Sequence, residues 1–122
     1  SIAKATVFLS HSLQQETLGP YPVAIAAYAL SLASDNQSAI DTADAHLRKL
    51  ATRDGEDTVL YWEVGGQHRL RGEARPGHVP SASAITVEAT SYGLLHLLLR
   101  NNITAAKKVA KWLTEQRNYG GG

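Results

Sequence analysis

Five histidines, one carboxylate in an apolar run, and a cluster of arginines are the residues of this chain whose types could do chemistry. The histidines are His11, His46, His68, His78 and His96. No two of them have the i, i+4 spacing that puts two ligands on one helix face, and there is no H-E-x-x-H, so no metal site is expected. His96 lies inside "SYGLLHLLL", where a hydrogen-bonded interior histidine is the expectation rather than a ligand. Cysteine is absent. That removes disulfides, thiolate nucleophiles and cysteine-based zinc sites together. No G-x-S-x-G, P-loop or G-x-G-x-x-G is present, and none of the serines comes with a pattern that marks a nucleophile. No catalytic residue and no cofactor are therefore expected.

Glu88 is the odd carboxylate, set in "ITVEATSY". In the first turn of a helix it would gain from the positive N-terminal field. As a glycosidase acid it would need a second carboxylate nearby, and none is recognisable. Tyr61, Trp62 and Glu63 precede the loop that carries Arg69, Arg71 and Arg75. These residues could form a carbohydrate or protein contact, but packing over the ring rim is the expectation, and the three arginines are a candidate interaction loop. Two N-x-[ST] triplets, Asn36-Gln37-Ser38 and Asn102-Ile103-Thr104, are candidate glycan acceptors in a secreted chain.

Composition limits the partners. With 12 basic and 11 acidic residues the net charge is +1, which offers no electrostatic drive toward nucleic acid or an anionic membrane. The longest unbroken stretch of large aliphatic side chains is Leu97-Leu98-Leu99, so membrane insertion is not expected. A length of 122 residues suits one domain with a core of its own.

Five helices are expected to position these residues. The first runs from Ser1 to about Leu13, with Ile2, Ala5, Leu9 and Leu13 on one face. The second, Pro22 to Ala33, is apolar nearly all round and belongs to an inner layer. Ser34 or Asp35 caps a third that reaches about Thr52, with Ile40, Ala43, Leu47 and Leu50 inward and Asp41, Asp44, Arg48 and Lys49 away from that stripe. Asp54-Gly55 ends it. "TVLYWEV", residues 58–64, reads as a short extended piece and residues 65–80 as a surface loop. The fourth helix, Ala84 to Arg100, follows caps among Ser81 to Ser83 and is again apolar on most faces. Asn101-Asn102 breaks it. Thr104 caps the fifth, which ends near Gln116 with Val109, Trp112 and Leu113 inward.

"VAIAAYALSL" from Val23 and "VEATSYGLLH" from Val87 echo each other at a shift of 64 residues, Tyr28 matching Tyr92. Each inner helix is followed by an amphipathic outer one. That alternation builds toroids and solenoids of helical hairpins. The Ala and Gly beside the tyrosines are expected to let the inner helices approach closely. Gly120-Gly121-Gly122 reads as a joint to a further element, so the chain is expected to be one fragment of a larger ring.

The blocks "SIAKATVFL", "PVAIAAYALSL", "LYW", "VEATSYGLLHLLL" and "KWLTEQRNYGGG", in this order, resemble the thioester-containing domain of the α2-macroglobulin and complement superfamily. The likeness is closest to the complement components three, four and five, with components four and three leading. It implies an all-α fold, a partial α/α toroid of inner and outer hairpins from a six-hairpin ring, in a secreted plasma opsonin. In such proteins a Cys–Gln thioester within G-C-G-E-Q acylates hydroxyls or amines on a target surface, and complement receptors and regulators read the product. Neither cysteine nor G-C-G-E-Q stands here, and the family's catalytic histidine lies upstream of the block matching Ser1, so none of the five histidines inherits its role. The resemblance implies a non-enzymatic scaffold for residues 1–122. An α/α-toroid enzyme or carbohydrate-binding domain unrelated to complement is the rival reading of the same helical pattern.

Overall fold

Gly19 is extended, and Pro20 opens the first described helix, α1 (Pro20–Ala33). A proline costs nothing at a position whose N–H has no helical partner, so the helix begins before Pro22, the expected start. The computed structural model describes residues 4, 18–65 and 83–119. The helix expected over Ser1 to Leu13 lies, apart from Lys4, outside the described residues, as do the loop residues 66–82 and the closing glycines.

A three-residue link leads to α2 (Gln37–Leu50), whose cap is Asn36 rather than Ser34 or Asp35. The Asn36 Oδ1 accepts from the Ala39 N–H at 3.1 Å, satisfying a donor the helix cannot satisfy internally. Ser34 serves the turn before it, its hydroxyl accepting the Asn36 N–H at 3.0 Å. Arg48 and Lys49 in the last turn suit the negative end of the helix.

The helix stops at Leu50, earlier than expected, because the chain enters a β-hairpin. β1 (Thr52–Asp54) pairs antiparallel with β2 (Val59–Tyr61), in the register Thr52↔Tyr61, Arg53↔Leu60, Asp54↔Val59. Asp54-Gly55 is therefore a hairpin turn and not a helix end. Gly55, Glu56 and Asp57 all have positive φ. The Asp54 and Gly55 carbonyls close the turn by accepting from the Thr58 N–H. The extended character of "TVLYWEV" holds for β2, and β1 is its unforeseen partner.

α3 (Ala84–Leu99) is capped by Ser83, as expected. It ends in a left-handed residue, Asn101, with the Asn101 N–H bonded to Leu98 O and the Asn102 N–H to Leu97 O. This double closure sets a tight corner. α4 (Ile103–Tyr119) follows, one turn longer than expected. Its cap is Asn102 rather than Thr104: Oδ1 lies 3.3 Å from the Ala105 N–H, and the Asn102 carbonyl takes the first helical bond from Ala106.

Among the described residues the chain is all-α but for the small strand pair. α1 and α3 run parallel and pack on each other, since Tyr21 meets Glu88, Tyr28 meets Tyr92 and Ser31 meets His96. The 64-residue echo thus has a physical meaning: Tyr28 and Tyr92 stack, ring centroids 6.0 Å apart. The outer helices α2 and α4 each cover the inner helix that precedes them. Val23, Ala24, Ala27 and Leu30 of α1 meet Ala89 and Leu97 of α3 in the main core, sealed by Ala43 and Leu47 of α2 and by Val109 of α4.

Trp62 fills the space between α2 and α3. Its Nε1–H donates to Leu47 O at 2.8 Å and its backbone N–H to Thr90 Oγ1 at 3.0 Å. Gly93 lies beneath the ring, and a Cβ there would stand 2.5 Å from Trp62 Cζ3. So Gly93 makes room for a tryptophan rather than for the neighbouring inner helix. Tyr61 turns the other way and stacks on Trp112, centroids 4.6 Å apart and planes 5° from parallel. Both rings are buried, so the pair packs within the chain and offers no open surface for a carbohydrate or protein contact.

Candidate functional site

A polar cluster sits inside the core where three helices meet. α2 supplies Asp44, α3 supplies His96, and α1 supplies Ser31 with the Ala27 carbonyl. His96 is 0% and Asp44 1% exposed. His96 Nε2 is 2.9 Å from Asp44 Oδ1. A carboxylate only accepts, so Nε2 carries the ring proton and donates it. His96 Nδ1 is hydrogen-bonded to the Ser31 hydroxyl, 2.7 Å away. The Ala27 carbonyl stands 3.2 Å from the same nitrogen.

Asp44 is held from outside as well. Arg48 Nε donates to its Oδ2 at 2.8 Å, with Arg48 Nη2 on the same oxygen, and Arg100 Nε lies 3.4 Å from Oδ1. Burial pushes the Asp44 carboxyl upward, but the hydrogen bonds from His96 and Arg48 and the charges of Arg100 and Arg48 outweigh it and hold it below the ordinary range. Next to it, the hydrogen bond from Arg100 and a second from Gln37 hold exposed Asp41 low.

Asp, His and Ser in this order are what an activated serine needs: an orienting acid, a base and a nucleophile. What is missing is reach. The ring has no exposed surface, and its Nδ1 edge is filled by α1 itself. The cluster therefore acts as a tie that locks α1, α2 and α3 together through two hydrogen bonds to one ring.

The expectation of a satisfied interior histidine at position 96 holds. The expectation that Asp44 points away from the α2 stripe does not. Ile40, Ala43, Asp44 and Leu47 all lie on the buried face, at the spacing of one helical stripe. That spacing was the available signal: Asp44 occupies an apolar slot, and a carboxylate there needs an interior partner. Ser31 carried no such signal.

Glu88 is likewise corrected. It lies one residue past the first turn of α3, which contains no acid. It is exposed and accepts from the Tyr21 hydroxyl at 2.6 Å, a bond that pushes the Tyr21 phenol up. His46 is half-exposed on α2. His11, His68, His78 and the arginines Arg69, Arg71 and Arg75 lie outside the described residues. Among the described residues no group of three or more metal-ligating side chains comes together, and no helix is long and apolar enough to cross a membrane. Asn36 is exposed and Asn102 half-buried, each capping an outer helix.

A family model described as the A-macroglobulin TED domain matches residues 1–122. Complement C3 of Lethenteron camtschaticum is 38% identical over 122 residues, which is 100% of this chain and 7% of that protein. The chain thus spans a small part of the relative it matches. With a family model matched over every residue and a relative this similar over the whole chain, the chain belongs to the A-macroglobulin TED family, the thioester-containing domains of complement-type proteins.

Proposed function

We propose that this chain is scaffold of a complement-type thioester domain, in a secreted innate-immune opsonin that attaches covalently to target surfaces. The observation that carries this is the family match over all of residues 1–122, together with the likeness of the whole of this chain to a small part of a complement C3. The chain's own contribution is positional. Its parallel inner helices, tied by Asp44, His96 and Ser31 and wedged by Trp62, make one sector of an α/α toroid, and the ring would hold the thioester in place. The acylating cysteine and glutamine belong to other parts of the parent, since this chain has no cysteine. Target hydroxyls or amines, complement receptors and regulatory proteins are the partners of that parent. The segment carrying Arg69, Arg71 and Arg75 is the candidate element for partner specificity.

The test is thiol titration of the intact parent with and without methylamine. One new thiol per chain, released as amine is incorporated, is the expected result. An absence of new thiol under conditions that preserve the native protein overturns the covalent-opsonin reading.

A further inference from the structure

We propose that Asn36 carries an N-linked glycan and that Asn102, in the second triplet of the same type, does not. This rests on the reading of the parent as secreted, and the structure separates the two asparagines. Asn36 lies in the link between α1 and α2, and it and its neighbours Asp35, Gln37 and Ser38 are all exposed. Its Oδ1 accepts the Ala39 N–H at 3.1 Å, while Nδ2 makes no hydrogen bond to a described residue. N-glycosylation uses Nδ2 alone. The new bond joins Nδ2 to the sugar C1, the C1–O bond of a lipid-linked oligosaccharide pyrophosphate breaks, the lipid pyrophosphate departs, and the amide proton passes to a base of the transferase. The carbonyl oxygen is untouched. A glycan at Asn36 therefore leaves the α2 cap in place, and folding and modification do not compete.

Asn102 differs in its own clearance: Asn101, Ile103 and Thr104 around it are exposed, but Asn102 itself is not. It is half-buried, and its backbone N–H is bonded to Leu97 O at 2.9 Å. The residue before it, Asn101, is left-handed at φ 62 and bonded to Leu98 O, so the corner turns straight from α3 into α4. Its Oδ1 lies 3.3 Å from the Ala105 N–H, a cap of the same kind as at Asn36, so it is burial and not the cap that separates the two.

The experiment uses the intact parent purified from the medium of eukaryotic cells that produce it. Peptide N-glycosidase in 18O-water converts a glycosylated asparagine to labelled aspartate, read by peptide mass spectrometry. The expected result is label at Asn36 and none at Asn102. Ser38→Ala, which removes the triplet but keeps the cap, is expected to abolish the label at Asn36 while the amount secreted stays within about two-fold. Parent in the medium with Asn36 unmodified overturns the proposal alone. Label at Asn102 overturns the structural selection between the two. Parent retained in the cytosol, unmodified at both, overturns the secreted reading and the glycan with it.

Discussion

Replacing Asp44 by alanine removes the acceptor for His96 Nε2 and leaves that N–H inside the core with no partner. An unsatisfied buried donor costs about 1–3 kcal/mol, and breaking a buried charged pair from one side about 3–5 kcal/mol. Arg48 is 59% exposed and recovers water when its partner goes, so its share of the loss is small. The balance is about 3 kcal/mol, close to a hundred-fold in a local opening equilibrium. Hydrogen exchange in the intact parent reads it directly: the amides of Leu97 to Leu99 and of Leu30 to Ser31 are expected to exchange faster by about that factor. Asp44→Asn keeps an oxygen for Nε2, so about ten-fold is expected. Combining Asp44→Ala with His96→Phe is expected to restore part of the protection, because the buried Nε2–H is then gone and only the half-buried Ser31 hydroxyl has lost its ring partner. A change below about three-fold for Asp44→Ala would refute the assignment of the cluster as a tie. The pH dependence has a definite sign. The Asp44 carboxyl is held below its ordinary value in the folded protein. Its stabilising contribution is therefore fully present above the unfolded value of about 4 and fades as pH falls through the lower folded one. The excess protection of wild type over Asp44→Asn should be flat from neutral pH down to about 5 and shrink below about 4.

Trp112→Ala removes one ring of a stack with centroids 4.6 Å apart, and a loss of about 3–5 kcal/mol is expected where β2 meets α4. Exchange should quicken at Val59 to Tyr61, and the core between α1 and α3 should be less affected. Thr90→Val keeps the shape of the side chain but leaves the Trp62 N–H without its acceptor, at a cost of about 1–3 kcal/mol. Exchange of that amide measures it, and Thr90→Ser should restore most of the protection.

The helices and their layers were legible in the residues themselves. "VAIAAYALSL" and "VEATSYGLLH" are apolar on most faces and must lie inside, whereas the stripe of Ile40, Ala43 and Leu47 can bury only one side of α2. Such patterns are local, set by the 3.6-residue period, and need no knowledge of neighbours. The echo between Tyr28 and Tyr92 went further, because a repeat that stacks brings its matching residues into contact. Family membership was legible for a similar reason, since whole blocks kept their order.

Caps and strands were less legible. Ser34, Asp35 and Asn36 all have side chains able to cap, and only the path of the chain decides which oxygen reaches a free N–H. Three residues of β1 carry too little pattern to stand apart from the helix before them, and they become a strand because Val59 to Tyr61 lie alongside. The polar tie was decided wholly by tertiary structure. Asp44, His96 and Ser31 lie 52 and 65 residues apart in the chain. Local spacing shows that Asp44 falls on a buried stripe, but not which group answers it. The same holds for Gly93, whose missing side chain is explained by a tryptophan 31 positions earlier in the chain. What the sequence by itself determined was which surfaces must be buried; which polar groups meet once they are buried depends on how the helices are brought together.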